Sequence, residues 1–253
     1  MLNISMAQQG LAGRLLSAEA LYAKEPGVGG MVAYPAALPL QKKTLLGVYG
    51  EKRFMSDLSF VNVMFSGLLG NQALLVSLSR EGTNALSRSR ISLSAGKKLG
   101  DGVQVGLNFG YSFYTAKGYT SSGEADAGIG ALLPIGDRTR IGIQLNRLNA
   151  LWGMKEFGFV ARTGIGYGLS DVCAITLEAT KEAGKPLLVD AGVYYAFHDH
   201  FYSRVGFCPS LSLISFNIGY RNGRLQTEMG QAIHLLLGST WGMSLMYLFK
   251  GRE

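Results

Sequence analysis

From residue 103 to residue 114 the chain alternates without a break. Val103, Val105, Leu107, Phe109, Tyr111 and Phe113 fall on one side of an extended strand, and Gln104, Gly106, Asn108, Gly110, Ser112 and Tyr114 on the other. One face is wholly apolar and the other small and polar. A tilted strand needs roughly 9–11 residues to cross a bilayer, and this one is long enough. Much of the chain repeats the pattern. Ile141, Ile143 and Leu145 oppose Arg140, Gly142, Gln144 and Asn146, and Ile214, Phe216, Ile218 and Tyr220 oppose Ser215, Asn217, Gly219 and Arg221. Trp241, Met243, Leu245, Tyr247 and Phe249 oppose Thr240, Gly242 and Ser244. Charges fall on the polar face each time, where they avoid the cost of about 2–4 kcal/mol that a cation incurs at the bilayer midplane. The pattern predicts an all-β protein: a transmembrane antiparallel up-and-down barrel, apolar toward lipid and polar toward its lumen.

Strands are predicted to begin near residues 44, 58, 72, 88, 103, 123, 139, 156, 172, 187, 200, 213, 226 and 240, about fourteen in all. Single-chain bacterial outer-membrane barrels have even strand numbers. The connections alternate in kind. Residues 69–71, 100–102, 136–138, 170–171, 199 and 222–223 carry tight-turn chemistry, whereas 80–87, 115–123, 149–155 and 181–186 read as longer links. Short turns face the periplasm in such barrels, which places both termini there. Residues 58–69 are apolar on both faces, and their inner side is expected to pack on a plug.

That plug is read from residues 1–43, with the barrel over 44–253. Leu11, Leu15, Leu16, Ala18 and Leu21 give residues 10–24 an amphipathic helical pattern, which Pro26, Gly27, Gly29 and Gly30 are expected to end. Residues 32–39 are too rich in proline for an inner strand. The first ten residues lack a basic start and a full apolar stretch, so the chain is read either as a mature form or as carrying the remnant of a signal over residues 1–8.

Composition agrees. Hydrophobic residues make up 47% and charged residues 16%, below the roughly 25% charge of ordinary soluble domains, and no run of about 18 apolar residues suggests a helical span. Glycine is abundant at 35 residues, and many glycines fall on the inner face, where small residues relieve crowding against a plug. The net charge of +7 is spread along the chain rather than blocked, and no nucleic-acid motif accompanies it. Cys173 faces lipid and Cys208 the lumen by strand parity, so the two are not expected to pair.

Candidate chemistry is sparse. His198 and His200 flank Asp199 in a turn without a third ligand. His234 lies near Ser239 and Thr240, but no acid stands at strand spacing to complete a hydrolytic set. Neither an enzyme nor a cofactor is indicated. The polar lumen is assigned to Arg90, Glu124, Asp126, Arg140, Gln144, Arg162, Glu178, Asp190, Arg204 and Glu228. Charges of both signs fit an ion-paired lumen that holds the plug, since buried charges need partners; the alternative is a polar path or solute site.

Tyr34-Pro35-Ala36-Ala37-Leu38, after a glycine-rich stretch, resembles the Asn-Pro-Ala-Gly-Leu hatch of FadL-type hydrophobic-solute transporters, with Tyr34 in place of Asn. It is also similar to the PorV/PorQ-type barrels associated with type IX secretion. Residues 204–220, His234 to Ser239 and the final aromatic strand resemble the C-terminal hairpins of the latter. The resemblance implies a fourteen-stranded outer-membrane barrel with an N-terminal hatch at Tyr34, Pro35 and Ala36, set among outer-membrane lipids. Two functions follow from it. One is a component of a secretion or surface-assembly complex with protein partners; the other is a passive transporter of hydrophobic or small amphipathic solutes.

Overall fold

The computed structural model describes residues 18–54, 58–70, 72–83, 85–100, 102–148 and 158–249. Fourteen strands run in chain order: β1 (Leu45–Lys52), β2 (Ser59–Leu69), β3 (Gln72–Gly82), β4 (Leu86–Leu99), β5 (Val103–Ala116), β6 (Ser122–Ile135), β7 (Thr139–Asn146), β8 (Val160–Gly168), β9 (Cys173–Glu182), β10 (Leu188–Ala196), β11 (Phe201–Cys208), β12 (Leu213–Asn222), β13 (Leu225–His234) and β14 (Gly238–Leu248). Each pairs antiparallel with its neighbour in sequence, and β1 pairs with β14 from Leu45↔Leu248 to Lys52↔Trp241, closing the barrel. Closure leaves no sheet edge unpaired, which a lipid-exposed sheet requires.

The alternation of residue types becomes an alternation of faces. On β5, Leu107, Phe109, Tyr111 and Phe113 point outward and are exposed, while Gln104 and Ser112 are buried inside. On β7, Ile143 and Leu145 point outward while Gln144 is fully buried. Side chains such as Val61, Phe216 and Trp241 extend this outer apolar belt around the circumference. A belt of this kind is stable only against hydrocarbon.

The predicted strand starts agree with those observed to within about two residues, apart from β8. It begins at Val160 rather than near 156, and residues 149–157 lie outside the described residues. The link at 80–87 is shorter than the residue types suggested. β3 runs on to Gly82 and β4 starts at Leu86, so 80–87 is largely strand. There Gly82 adopts φ 132° and a side chain would collide with the backbone of Leu86, so a glycine carries the strand into a tight reversal. The tight turns lie at the end of the barrel where β1 begins and β14 finishes, with Gly100 and Gly223 in left-handed geometry.

Inside the barrel runs the segment from Ala18 to Leu40. It consists of a 3-10 turn (Ala18–Leu21), a short helix α1 (Val28–Ala33) and a second 3-10 stretch (Pro35–Leu40). Here the expectation of a single helix over 10–24 needs correction: Ala18–Leu21 forms only a 3-10 turn, and residues 10–17 lie outside the described residues, as do 1–8. Gly29 and Gly30, expected to end a helix, instead lie within α1. The reason is steric, since a side chain at Gly30 would meet the Ala20 backbone nitrogen at 2.9 Å. Glycine lets α1 press against the first 3-10 turn.

Wall and segment fit closely. Val28, Met31 and Leu38 share a core with the inward faces of β1–β3, including Tyr49, Phe60, Met64 and Leu75. This is why β2 is apolar on both faces: one touches lipid, the other the inner segment. Elsewhere the wall gives way with glycine. A Cβ on Gly106 would lie 2.2 Å from the Ala36 nitrogen, and one on Gly166 would lie 2.4 Å from the Leu21 carbonyl oxygen.

Wall height varies. β4, β5 and β6 each have 14 residues, whereas β11 has 8. Between β13 and β14 the chain turns through Leu235, Leu236 and Leu237, exposed by 74%, 88% and 57%. Beside outward-facing Ile233 and Trp241, this tip continues the apolar belt.

Candidate functional site

The lumen is organised by ion pairs at three levels. At the first, Arg204 reaches inward from β11. Its Nη1 lies 2.7 Å from Glu228 on β13, its Nη2 2.9 Å from Glu19 of the inner segment, and its Nε donates to the Tyr22 hydroxyl at 2.8 Å. Glu228 also accepts from Tyr202 at 2.9 Å and from Asn217 at 2.8 Å. Tyr202, Arg204, Asn217 and Glu228 sit on inward positions of the adjacent strands β11, β12 and β13. On β7, Arg140 donates to the carbonyl oxygens of Ala20 and Ala23 at 2.7 and 2.9 Å. It thereby caps peptide oxygens that the short 3-10 turn cannot satisfy itself.

The second level is the hatch. Tyr34 is fully buried, and its hydroxyl donates to Glu178 on β9 at 2.9 Å. Burial first, and the neighbouring carboxylate second, push the Tyr34 phenol well above its ordinary range, so the donor proton stays in place. Glu178 is paired on its other oxygen with Arg162 at 3.2 Å. The arginine also lies over the Tyr34 ring, 5.8 Å from its centroid. Pro35 and Ala36 lie against Gly96 and Gly106 of the wall.

The third level faces the opposite end of the barrel. Arg90 forms a two-pronged ion pair with Asp126. Glu182 bridges Arg147 at 2.9 Å and Lys185 at 3.0 Å.

The predicted lumen residues thus separate into groups. Arg140, Arg162, Glu178, Arg204 and Glu228 hold the inner segment directly or through one partner. Arg90 and Asp126 form a pair beyond it. Gln144 is buried in the wall and donates to Asn146 at 2.8 Å. Glu124 is half-buried and accepts from Tyr114 at 3.0 Å, away from the inner segment. Asp190 is half-buried on β10 beside Cys208 and Ser215.

Residues missed by the sequence reading are Glu19 and Tyr22, which complete the Arg204 cluster, and the buried trio Glu51, Arg53 and Glu81, in which Arg53 pairs with both carboxylates. Strand parity places Glu51 and Glu81 inward and was a usable signal. Glu19 carried none, because a single acid in a helix-like stretch reads as a solvated face.

Two chambers flank the inner segment. One, of about 490 Å³, opens at the tight-turn end and is lined by Tyr22, Lys24, Asp137 and Arg140, among others. The other, of about 140 Å³, lies on the far side. Val32 and Ala33 contribute to its lining, with Phe60 and Leu75 on one wall and Asn62, Ser77 and Ser92 nearby.

The histidines have local roles. His198 and His200 lie in an exposed turn with rings 5.7 Å apart, and the His200 ring contacts the Arg221 carbonyl oxygen at 3.0 Å. His234 Nδ1 accepts the backbone N–H groups of Leu236 and Leu237 at 3.1 and 3.2 Å, ordering the leucine tip. Among the described residues, no group of three or more His, Cys, Asp or Glu is placed to hold a metal ion. Cys173 and Cys208 are both free, the former half-buried and the latter buried.

No family model and no curated protein sequence matches this chain. Solved structures do. The toluene transporter TbuX of Ralstonia pickettii superposes with a TM-score of 0.68 at 12% identity, covering 95% of this chain and 100% of that one. A FadL homologue from Pseudomonas aeruginosa matches with a TM-score of 0.61 at 11% identity, over 96% of this chain and 98% of its own. The toluene transporter TodX of Pseudomonas putida gives 0.61 at 7% identity, over 91% and 95%. The likeness is one of fold: a closed fourteen-stranded antiparallel barrel of the outer-membrane type.

Proposed function

We propose that this chain is a non-enzymatic outer-membrane channel through which small hydrophobic or amphipathic solutes pass, with residues 1–43 acting as its plug and 44–253 as its wall. The observation that carries this reading is the placement of one chamber on each side of a pinned inner segment. A solute held in the smaller chamber rests against Val32 and Ala33 of the plug. Movement of the plug against its arginine contacts then connects the two sides. The tight-turn end faces the periplasm in this reading, and both termini lie there.

The fold neighbours favour this reading over the secretion-associated one, because those named above are described as solute transporters or as homologues of one. No feature of the described residues favours a protein partner comparably.

Vesicles with a lipopolysaccharide outer leaflet provide the test, since that leaflet slows apolar solutes. Incorporation of the full chain should accelerate permeation of toluene or phenol and leave ionic conductance low. Permeation no faster than in protein-free vesicles would refute the channel.

A further inference from the structure

Among the described residues, the charges on the outer face of the strands are all of one sign. By register and parity every Asp and Glu in the fourteen strands points inward, from Glu51 on β1 to Glu228 on β13. The charged residues that point outward are Lys52, Arg80, Lys97 and Lys181. Lys181 donates to the Lys185 carbonyl oxygen. Lys97 lies at the tight-turn end, opposite Gln72. Lys52 and Arg80 lie at the other end, and among the described residues neither side chain has a hydrogen-bond or ion-pair partner.

These two cations flank the start of β2. Lys52 is opposite Ser59, and Arg80 is opposite Val61. Two strand spacings of about 4.8 Å across and two residues of about 3.4 Å along put their Cα atoms roughly 12 Å apart. Both side chains are long and exposed, so both reach the surface over β2 between them. Below them lies an apolar trough, where Val48 of β1, Val61 and Val63 of β2 and Leu78 of β3 point outward and are exposed. On its other side Lys52 is opposite Trp241 of β14, and beyond that residue the exposed Leu235, Leu236 and Leu237 carry apolar surface further outward. Lys52 therefore stands within the upper margin of the belt rather than beyond it. A lone cation on the lipid face is costly unless it reaches the interface or meets an anion.

We propose that Lys52, Arg80 and the trough below them seat one phosphorylated lipid of the outer leaflet, the lipid A part of lipopolysaccharide. Its phosphates lie between the two cations, with Arg80 as a two-pronged donor and Lys52 as a point charge. Its acyl chains lie along Val61, Val63 and Leu78. The inward placement of the strand acids leaves the phosphates unopposed. This inference goes beyond solute passage and takes from the channel reading only its orientation, with the tight turns toward the periplasm.

Native mass spectrometry of the full chain in detergent, titrated with diphosphorylated lipid A, provides the test. One lipid should bind per barrel, about tenfold or more tightly than the dephosphorylated lipid, since each basic residue near lipid phosphate contributes about fivefold. The double variant Lys52→Gln, Arg80→Gln should lose that preference. Lys97→Gln, which removes an outward cation at the opposite end, should keep it. Heat-dependent mobility on gels checks that the variants fold. Inorganic phosphate at millimolar excess should not displace the lipid, because it lacks the chains that fill the trough. Equal affinity for the two lipids would overturn the inference in the wild type alone. So would an unchanged preference in the folded double variant, an equal loss in Lys97→Gln, or displacement by free phosphate. Toluene permeation in lipopolysaccharide vesicles keeps the two readings apart. A chain that binds lipid A with this preference but passes no toluene refutes the channel and leaves the lipid seat standing, and the reverse result does the opposite.

Discussion

The guanidinium of Arg204 on β11 lies 2.9 Å from the carboxylate of Glu19 in the inner segment, and both side chains are only 2% exposed. No other ion pair shorter than 3.5 Å among the described residues joins the inner segment to the wall, and it is backed by Glu228 and Tyr22. Removing the arginine leaves two buried carboxylates, Glu19 and Glu228, close together without the cation they share. Arg204→Ala should destabilise the folded barrel by about 3–5 kcal/mol, the usual cost of orphaning a buried charge. The thermal midpoint in detergent reports the loss. Trypsin cleavage after Lys24 reports whether the plug has come loose.

Tyr34→Phe isolates one hydrogen bond of the hatch. The ring remains among Ala33, Ala36 and Ala37 while the donor to Glu178 is lost. Glu178 keeps Arg162, so the cost should be about 1.5–3 kcal/mol, that of one hydrogen bond to a charged group. Urea unfolding in micelles measures it. A larger loss in permeation than in stability would indicate that the hatch positions the plug rather than merely fastening it.

Glycine at 106 is dictated by the backbone of Ala36 rather than by the strand. Gly106→Val should destabilise by about 1–3 kcal/mol, because overpacking against a main chain cannot be relieved by a rotamer change. Gly50→Ala provides the control, since a side chain there meets nothing within 4 Å. Comparing folding yields of the two variants in vesicles checks the difference.

The lipid belt predicts its own penalties. Phe109→Arg, in the middle of β5, should cost about 2–4 kcal/mol on insertion into a bilayer. Tyr119→Arg, at an 81% exposed position in the link after β5, should be close to neutral. Reversible folding into lipid vesicles separates the two.

How much of this was legible in the residues depended on periodicity. On β5 and β7 the alternation is strict because one side meets lipid and the other a polar lumen, so both face and register follow from residue type. β2 breaks the rule, since Phe60 and Met64 point inward yet are apolar. That break was still readable as contact with a plug. The inner segment itself was much less readable. Its shape is set by the surrounding wall, not by local propensity, so two adjacent glycines that would weaken a free helix sit inside α1. Parity assigns the lumen charges to the inner face but gives no partners for them. Arg204 finds Glu19 from 185 positions upstream, and no spacing rule spans that distance.

The uneven strands have a mechanical consequence. At about 3.4 Å per residue the 14-residue strands are roughly 48 Å long and the 8-residue strands β1, β7 and β11 roughly 27 Å. A slab of constant thickness cannot match both sides of such a cylinder. The molecule must lean, or the surrounding lipid must thin locally where Leu236 projects. The circumference is uneven: the three 14-residue strands β4–β6 stand directly beside β7, which has 8 residues, and β1 and β11 have 8 as well.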